Sequence, residues 1–312
     1  MRLEKHNADE MTPLERIYAY EHGLSYDRIP SVPFIGNVRC KVGGMTPEEY
    51  WDSAENMVKA ELMSYQRFGF DRLGIGPNTR GISDALADQV PDKKQGSLVL
   101  DDYSKLEYLE PVNARNDLVI QRFLQAAEML QESAGEIVPV EISIGGPLTI
   151  ASFLREIELL LRDCRRNGDK VQKLLRIIVD SQKSCIDAFA QYGVGIAMAD
   201  PVANPALIGP KLYEKFVFPY TKELTDYALE RTGKKVSLHM CGATYSIWKY
   251  IEQYQLNEIS LDNIVDLDRA AREIRKKSTN CRQCRSCTEH AEWYKRRDFC
   301  RCSKMHRTWK FC

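Results

Sequence analysis

Apolar and polar residues follow two alternating periods along this chain. Short apolar runs typical of buried strands occur at 72–75, 137–144, 195–199, 235–239 and 258–261. Longer segments lie between these runs, and in them apolar residues recur every three or four positions, as on an amphipathic helix. The clearest such helix is predicted at 169–192. Alternating strands and helices predict an α/β protein with a parallel sheet.

Capping signals mark where several helices begin. Thr12 and Thr46 are each followed by proline at the first helical position and by glutamate three residues after the threonine, which is a capping box. The second box predicts a helix that runs to about Phe68 and ends at Gly69. Further helices are predicted at 116–133, from about residue 149, at 210–231 and at 244–254.

Reactive side chains recur where predicted strands end. Asp200 follows one strand, His239 and Cys241 close the next, and Asp262 follows the last. In a (β/α)8 barrel, the carboxyl ends of all strands meet at one mouth. A doubly wound sheet fits the alternation too, but no G-x-G-x-x-G follows the first strand, so a dinucleotide fold has no positive support. We therefore expect a TIM-type (β/α)8 barrel.

Global charge excludes two classes of partner. Lys+Arg and Asp+Glu both number 44, so nothing points to nucleic acid or to a membrane surface. No apolar run reaches the length of a membrane span, and the polar, charged N-terminus does not read as a signal peptide. We expect a cytoplasmic protein with reduced thiols.

The cysteines are distributed unevenly. Four are scattered through 1–277, whereas six crowd into the tail, at positions 281, 284, 287, 300, 302 and 312. Residues 278–312 contain no Leu, Ile, Val, Gly or Pro, and nine Lys/Arg stand against three Asp/Glu. Such a segment cannot bury a normal core. We therefore predict a barrel domain at 1–277 and a separate Cys-rich basic tail at 278–312.

Three interpretations of this tail stay open. It is a metal-binding module for zinc or an iron–sulfur cluster, a disordered basic extension, or a segment translated in the wrong reading frame. The reading-frame interpretation makes predictions that follow from the genetic code. Shifting the frame by one base turns Trp293-Tyr294 into glycine and Met305-His306 into cysteine, whatever the codons.

The sequence read in the shifted frame also predicts secondary structure. With free choice of synonymous codons it contains a strand, a G-N-V-D-P turn and an amphipathic helix. We favour this interpretation, in which the tail is out of frame and disordered. The barrel would then be incomplete, without strands seven and eight, and would have open edges.

His239 and Cys241 form the most informative pair in the chain. Residues i and i+2 of a strand point the same way, so the imidazole and the thiol should leave the strand side by side. Imidazole and thiolate together suit zinc, although two ligands do not complete a site. Alternatively, His239 is a hydrogen-bonded core histidine and Cys241 a small buried residue. Asp200 either caps the turn at Pro201 or belongs to a site.

Several segments resemble the uroporphyrinogen decarboxylase superfamily. They are similar above all to its cobalamin-dependent branch, the methylcobalamin:coenzyme M methyltransferases and related corrinoid methyltransferases. The resembling segments are 11–30, 145–156, 196–220, 236–242 and 259–267. The resemblance covers nearly all of 11–277 and implies a TIM-type barrel.

Two motifs separate the branches of this superfamily. Decarboxylases carry an R-x-P-x-W-x-M-R-Q-A-G-R-like segment whose arginines hold the carboxylates of the substrate, whereas residues 33–38 here are apolar. The methyltransferases carry H-x-C-G, matched by His239 and Cys241. The resemblance implies that a second cysteine, in a G-C segment at the last barrel strand, completes their zinc site.

The resemblance implies a zinc-dependent methyltransferase. Its methyl donor would be methylcobalamin on a corrinoid protein, and its acceptor a small thiol such as coenzyme M. Asp200 would be catalytic, orienting a ligand or holding a proton. A uroporphyrinogen decarboxylase is the alternative enzyme, and a non-catalytic truncated product or metal-binding module is the alternative of another class. If the reading frame does change, we expect the chain as written to be unstable or inactive.

Overall fold

A computed structural model describes residues 2–91, 100–274 and 280–284. Its six strands form one sheet in the order β1-β2-β3-β4-β5-β6. The strands are β1 (Leu73–Asn78), β2 (Val140–Gly145), β3 (Gly195–Ala199), β4 (Val236–Met240), β5 (Leu256–Asp262) and β6 (Asn280–Cys284).

Every strand pairs in parallel with the next strand along the chain. The order never reverses, which is the arrangement of a barrel wall and not of a doubly wound sheet. The predicted α/β class and parallel sheet are therefore confirmed. β6 pairs with β5 beyond residue 277, the boundary expected from composition, and residues 285–312 lie outside the described residues.

Helices precede the sheet and connect its strands. They are α1 (Pro13–Glu21), α2 (Val38–Gly43), α3 (Pro47–Asp52), α4 (Ala54–Phe68), α5 (Gly81–Ala87), α6 (Leu118–Ala134), α7 (Pro147–Leu154), α8 (Ile157–Arg166), α9 (Gly168–Ala190), α10 (Pro205–Ile208), α11 (Pro210–Phe216), α12 (Phe218–Thr232), α13 (Trp248–Ile251) and α14 (Leu267–Glu273). Short 3-10 helices occupy Tyr103–Tyr108, Pro201–Ala203 and Tyr245–Ile247. Among the described residues we find no helix with the length and apolar composition that a membrane crossing needs.

Three predicted helices were wrong in extent. The helix expected from Thr46 to Phe68 is two helices, because Ser53 is extended (φ −139°, ψ 133°) and its side chain caps α4 by accepting from the Asn56 amide. The helix expected at 210–231 is likewise divided at Val217. The segment 244–254 forms only a 3-10 turn and the short α13.

The two faces of the sheet differ in chemistry. Residues such as Ile142, Ile196 and Leu238 are at most 2% exposed and belong to one continuous hydrophobic core. Burying a side chain of this size contributes about 1.5–3 kcal/mol, so this face anchors the sheet. The alternate residues point to the barrel interior, where they line a cavity of about 330 Å³. The strands thus present their polar residues to that cavity.

Candidate metal and substrate site

His239 and Cys241 lie side by side where β4 ends. Nε2 of His239 is 3.3 Å from Sγ of Cys241, as the i, i+2 spacing predicts. The ring is held from its other nitrogen, because Nδ1 lies 3.1 Å from Oγ of Ser260 on β5. Ser260 is also the register partner of His239 in the parallel pair. A hydrogen bond at Nδ1 fixes the orientation of an imidazole, and here it directs Nε2 towards Cys241.

The spacing of these two atoms fits zinc. Zinc–nitrogen and zinc–sulfur bonds of ordinary length at a tetrahedral angle separate the two donor atoms by about 3.6 Å. The observed 3.3 Å needs only a small adjustment to reach that geometry. Among the described residues no cluster of three or more His, Cys, Asp or Glu is arranged to hold a metal. Among the described residues, His239 and Cys241 therefore supply two donors and do not complete a metal site.

The loop after β4 is fixed by its neighbours. The amide of Gly242 donates to Oδ2 of Asp262 at 2.9 Å, which ties Cys241 to the end of β5. Gly242 has a φ of +76°, and a Cβ there would clash with the side chain of Asn204. The carbonyl of Asp262 accepts from the Val265 amide at 3.0 Å, so this residue also begins a turn. Its carboxylate also holds the loop that carries Cys241.

Asp200 lies next to this loop but is turned away from the cavity. Its Oδ1 accepts from the amide and the hydroxyl of Thr149, at 3.0 and 2.6 Å, so the carboxyl caps the first turn of α7. Burial raises its pKa to about 6, while the hydrogen bonds from Thr149 act in the opposite direction. The Asp200 amide donates to the His239 carbonyl at 3.3 Å. Asp200 thus reaches the site through the backbone of β4.

The position facing Asp200 allows only glycine. A Cβ on Gly146 would clash with the Asp200 carboxyl. The Gly-Gly-Pro turn before α7 therefore lets this acid pack against the helix N-terminus. The second of these glycines, Gly146, is required because two strand ends approach each other closely here.

Phe34 covers the histidine from the mouth of the cavity. Its ring packs edge-on against the His239 ring, with centroids 5.3 Å apart and planes at 61°, although the side chain remains 55% exposed. It belongs to the apolar stretch at 32–35, which lines one wall of the cavity. This is the stretch in which sequence comparison finds no arginine cluster. An aromatic wall here shields the imidazole from water on one side.

A charged cluster forms the floor of the same cavity. Nη1 of Arg72 lies 2.6 Å from Glu258, 3.2 Å from Glu141 and 3.1 Å from Oγ of Ser237. These residues precede the mouth by one layer, since Ser237 and His239 are two residues apart on β4. Burial lowers the pKa of an arginine, but the nearby Glu141 and Glu258 raise that of Arg72 overall. Arg72 therefore stays charged inside the barrel.

Sequence reasoning missed Ser260, Phe34 and Arg72. The sequence did contain a signal for Ser260, because residues 258, 260 and 262 are polar and alternate with Ile259 and Leu261. Polar residues at every second position of a buried strand indicate an interior polar surface. Phe34 and Arg72 gave no such signal, since only the tertiary fold brings them to the cavity.

Comparison with known proteins identifies the family. The profile of the family uroporphyrinogen decarboxylase (URO-D) matches residues 12–281. The chain belongs to the uroporphyrinogen decarboxylase family. Within this family the expected resemblance is confirmed.

Individual relatives of this URO-D family member point to one branch. It is 28% identical to methylcobamide:CoM methyltransferase MtbA of Methanosarcina mazei, over 84% of this chain and 79% of that protein. It is 26% identical to methylcobamide:CoM methyltransferase MtaA of Methanosarcina barkeri, over 76% and 72%. Its fold is similar to that of a solved methyltransferase from Methanosarcina mazei, with a TM-score of 0.69 and 20% identity over 87% of this chain and 82% of that chain.

Proposed function

We propose that this protein is a zinc-dependent methyltransferase that moves a methyl group from a methylated corrinoid protein to a small thiol. The single observation that carries the proposal is the His239–Cys241 pair, 3.3 Å apart at the mouth of an interior cavity. The names of the relatives, methylcobamide:CoM methyltransferases, support the donor and the kind of acceptor.

Zinc held by His239 and Cys241 would keep the acceptor sulfur as a thiolate, because a coordinating thiol is deprotonated outright. The chain's own residues prepare that position. Ser260 orients the imidazole, Asp262 fixes the loop that carries Cys241, and Phe34 excludes water from one side.

The proposed transfer balances as a displacement. The thiolate sulfur forms a bond to the methyl carbon, and the methyl–cobalt bond breaks with its electron pair remaining on cobalt, so that Co(III) becomes Co(I). The proton of the thiol goes to solvent when the thiolate forms. For Asp200 we propose a positioning role, because its carboxyl caps α7 and its amide holds the His239 carbonyl.

The decarboxylase alternative has less support. Porphyrin carboxylates need cations, whereas the wall at 32–35 is apolar and Arg72 at the floor is already paired with two carboxylates. In an assay, loss of the methyl–cobalt absorbance of methylcobalamin in the presence of a thiol would support the methyltransferase, and His239→Ala should abolish it. Turnover of uroporphyrinogen by the same preparation, without methyl transfer, would overturn the proposal.

We also propose that the reading frame of the chain changes near residue 278. The family match stops at residue 281, which is consistent with such a change. Genomic DNA across codons 270–290 tests it directly. Codons that cannot yield G-N-V-D-P in the shifted frame would end this hypothesis, and with it the expectation that the chain as written is inactive.

A further inference from the structure

Small residues line the interior cavity between the mouth and the floor. Barrels of this type are commonly filled by layers of branched apolar side chains. Here the cavity between Arg72 and His239 is lined by Gly74, Ser143 and Ala197. Small residues at these interior positions leave a path from the proposed metal ligands down to the charged floor.

The depth of this path is set by strand geometry. Nη1 of Arg72 donates to Ser237, and His239 lies two residues further along β4, which is about 6.6 Å of strand rise. A thiol bound at His239 and Cys241 therefore has room below it for a chain of roughly three atoms. Its sulfur would face the mouth, where the methyl donor must arrive, and its tail would point to the floor.

The floor offers a specific hydrogen-bond donor. Nε of Arg72 is buried and makes no hydrogen bond with any described residue, while Nη1 serves Glu141, Glu258 and Ser237. A buried donor without a partner is costly, so a ligand atom that accepts from it gains binding energy. The charge of the guanidinium is already matched by two carboxylates. The described floor therefore has no surplus positive charge for an anion.

We infer that Arg72 binds the tail of the methyl acceptor and that this tail is an uncharged hydrogen-bonding group such as a hydroxyl. A hydroxyl accepts from Nε and can donate to a neighbouring carboxylate, whereas a sulfonate would lie close to Glu141 and Glu258. This inference rests on the proposed function, since it assumes that a thiol binds at His239 and Cys241.

The test measures thiol binding to the full-length protein substituted with Co(II), using the thiolate-to-Co(II) charge-transfer band. The probes are 2-mercaptoethanol, 2-mercaptoethanesulfonate and ethanethiol, which share a sulfur and differ in the tail. We expect 2-mercaptoethanol to bind about tenfold more tightly than either of the others. Equal or tighter binding of the sulfonate would overturn the uncharged tail.

Two variants test the residue assignment. Arg72→Lys keeps the charge between the carboxylates but removes Nε. It should weaken the binding of 2-mercaptoethanol about tenfold and leave the binding of ethanethiol unchanged. Ala197→Leu, which fills the path without touching the ion pairs, should exclude 2-mercaptoethanol more than ethanethiol. The matched control is Arg176→Lys. Arg176 forms an ion pair with Glu223 on the outer helices, so this substitution should change the binding of neither thiol.

The test distinguishes failure of the proposed function from failure of the role assigned to Arg72. If no thiol produces the charge-transfer band either in the unmodified protein or in the protein translated in the shifted frame, the proposed function itself fails. If thiols produce the band but both Arg72→Lys and Ala197→Leu leave the preference for 2-mercaptoethanol intact, only the role of Arg72 is overturned.

Discussion

Nε2 of His239 and Sγ of Cys241 stand 3.3 Å apart at the end of β4, with the imidazole held from behind by Ser260. The two donors are set by the i, i+2 spacing of one strand, so they need little rearrangement to bind one metal ion. Ser260 lies on the adjacent strand, so the contact also depends on the parallel sheet, which brings the ends of neighbouring strands together.

We expect zinc in the purified protein to depend on this pair. His239→Ala and Cys241→Ala should each lower zinc affinity by roughly a hundredfold, because each removes a direct ligand. Zinc content by elemental analysis and affinity by competition with a chelator measure this. A variant with all six cysteines of 278–312 changed to serine is the control and should keep its zinc. Zinc that follows the tail cysteines instead would favour the metal-module interpretation.

Ser260→Ala should weaken zinc binding without abolishing it. The substitution removes the hydrogen-bond partner of His239 Nδ1, and loss of such a partner typically costs about 10- to 100-fold in metal affinity. The matched control is Ser152→Ala, whose hydroxyl bonds only the Thr149 carbonyl within α7. Equal zinc affinities for the two variants would show that Ser260 does not orient the ring.

Asp200→Asn should change how stability depends on pH. The folded pKa of about 6 lies above the ordinary value of 3.8, so between these values the folded protein holds a proton that the unfolded chain has lost. The wild type should therefore lose roughly 3 kcal/mol of stability, relative to Asp200→Asn, as pH rises from about 4 to 6. Urea unfolding of both proteins across this range measures the difference. A difference that stays constant with pH would contradict a buried, proton-binding Asp200.

Arg16→Met should strongly destabilise the fold. Arg16 is fully buried, pairs with Asp71 and lies 2.6 Å from Asp27. Its removal leaves the buried Asp27 carboxylate without its cation, and Asp71 keeps only Arg28. Breaking such a pair costs about 3–5 kcal/mol. Arg2→Met breaks an ion pair with Glu136 that is more than 80% exposed on the Arg2 side, and it should cost less than about 0.5 kcal/mol. Similar unfolding free energies for the two variants would refute the argument.

Gly242→Ala should disturb the fold and the site together. Both Gly242 and Gly193 have positive φ, +76° and +66°, so alanine at either position costs about 1 kcal/mol of backbone strain. Only at Gly242 does the new Cβ also clash, with Asn204. We expect Gly242→Ala to be clearly less stable than Gly193→Ala and to bind zinc more weakly. Chemical denaturation and zinc competition measure both effects, and matching behaviour of the two variants would exclude the clash.

Part of the fold was predictable because it depends on local order in the chain. The five apolar runs correspond to β1–β5, and both capping boxes occur at Thr12 and Thr46 as expected. Helix continuity was less predictable. Ser53 interrupts a segment whose residues all tolerate a helix, because its hydroxyl caps α4 while its backbone is extended.

The sequence by itself determined that His239 and Cys241 share one face, since that follows from the two-residue period of a strand. Only the tertiary structure decided what surrounds them. Ser260 reaches the imidazole from the adjacent strand, Phe34 covers it from a loop two hundred residues earlier, and Arg72 lies beneath it at the floor of the cavity. These contacts join residues far apart in the chain. The packing of the strands into one sheet brings them together, which no local pattern of polar and apolar residues encodes.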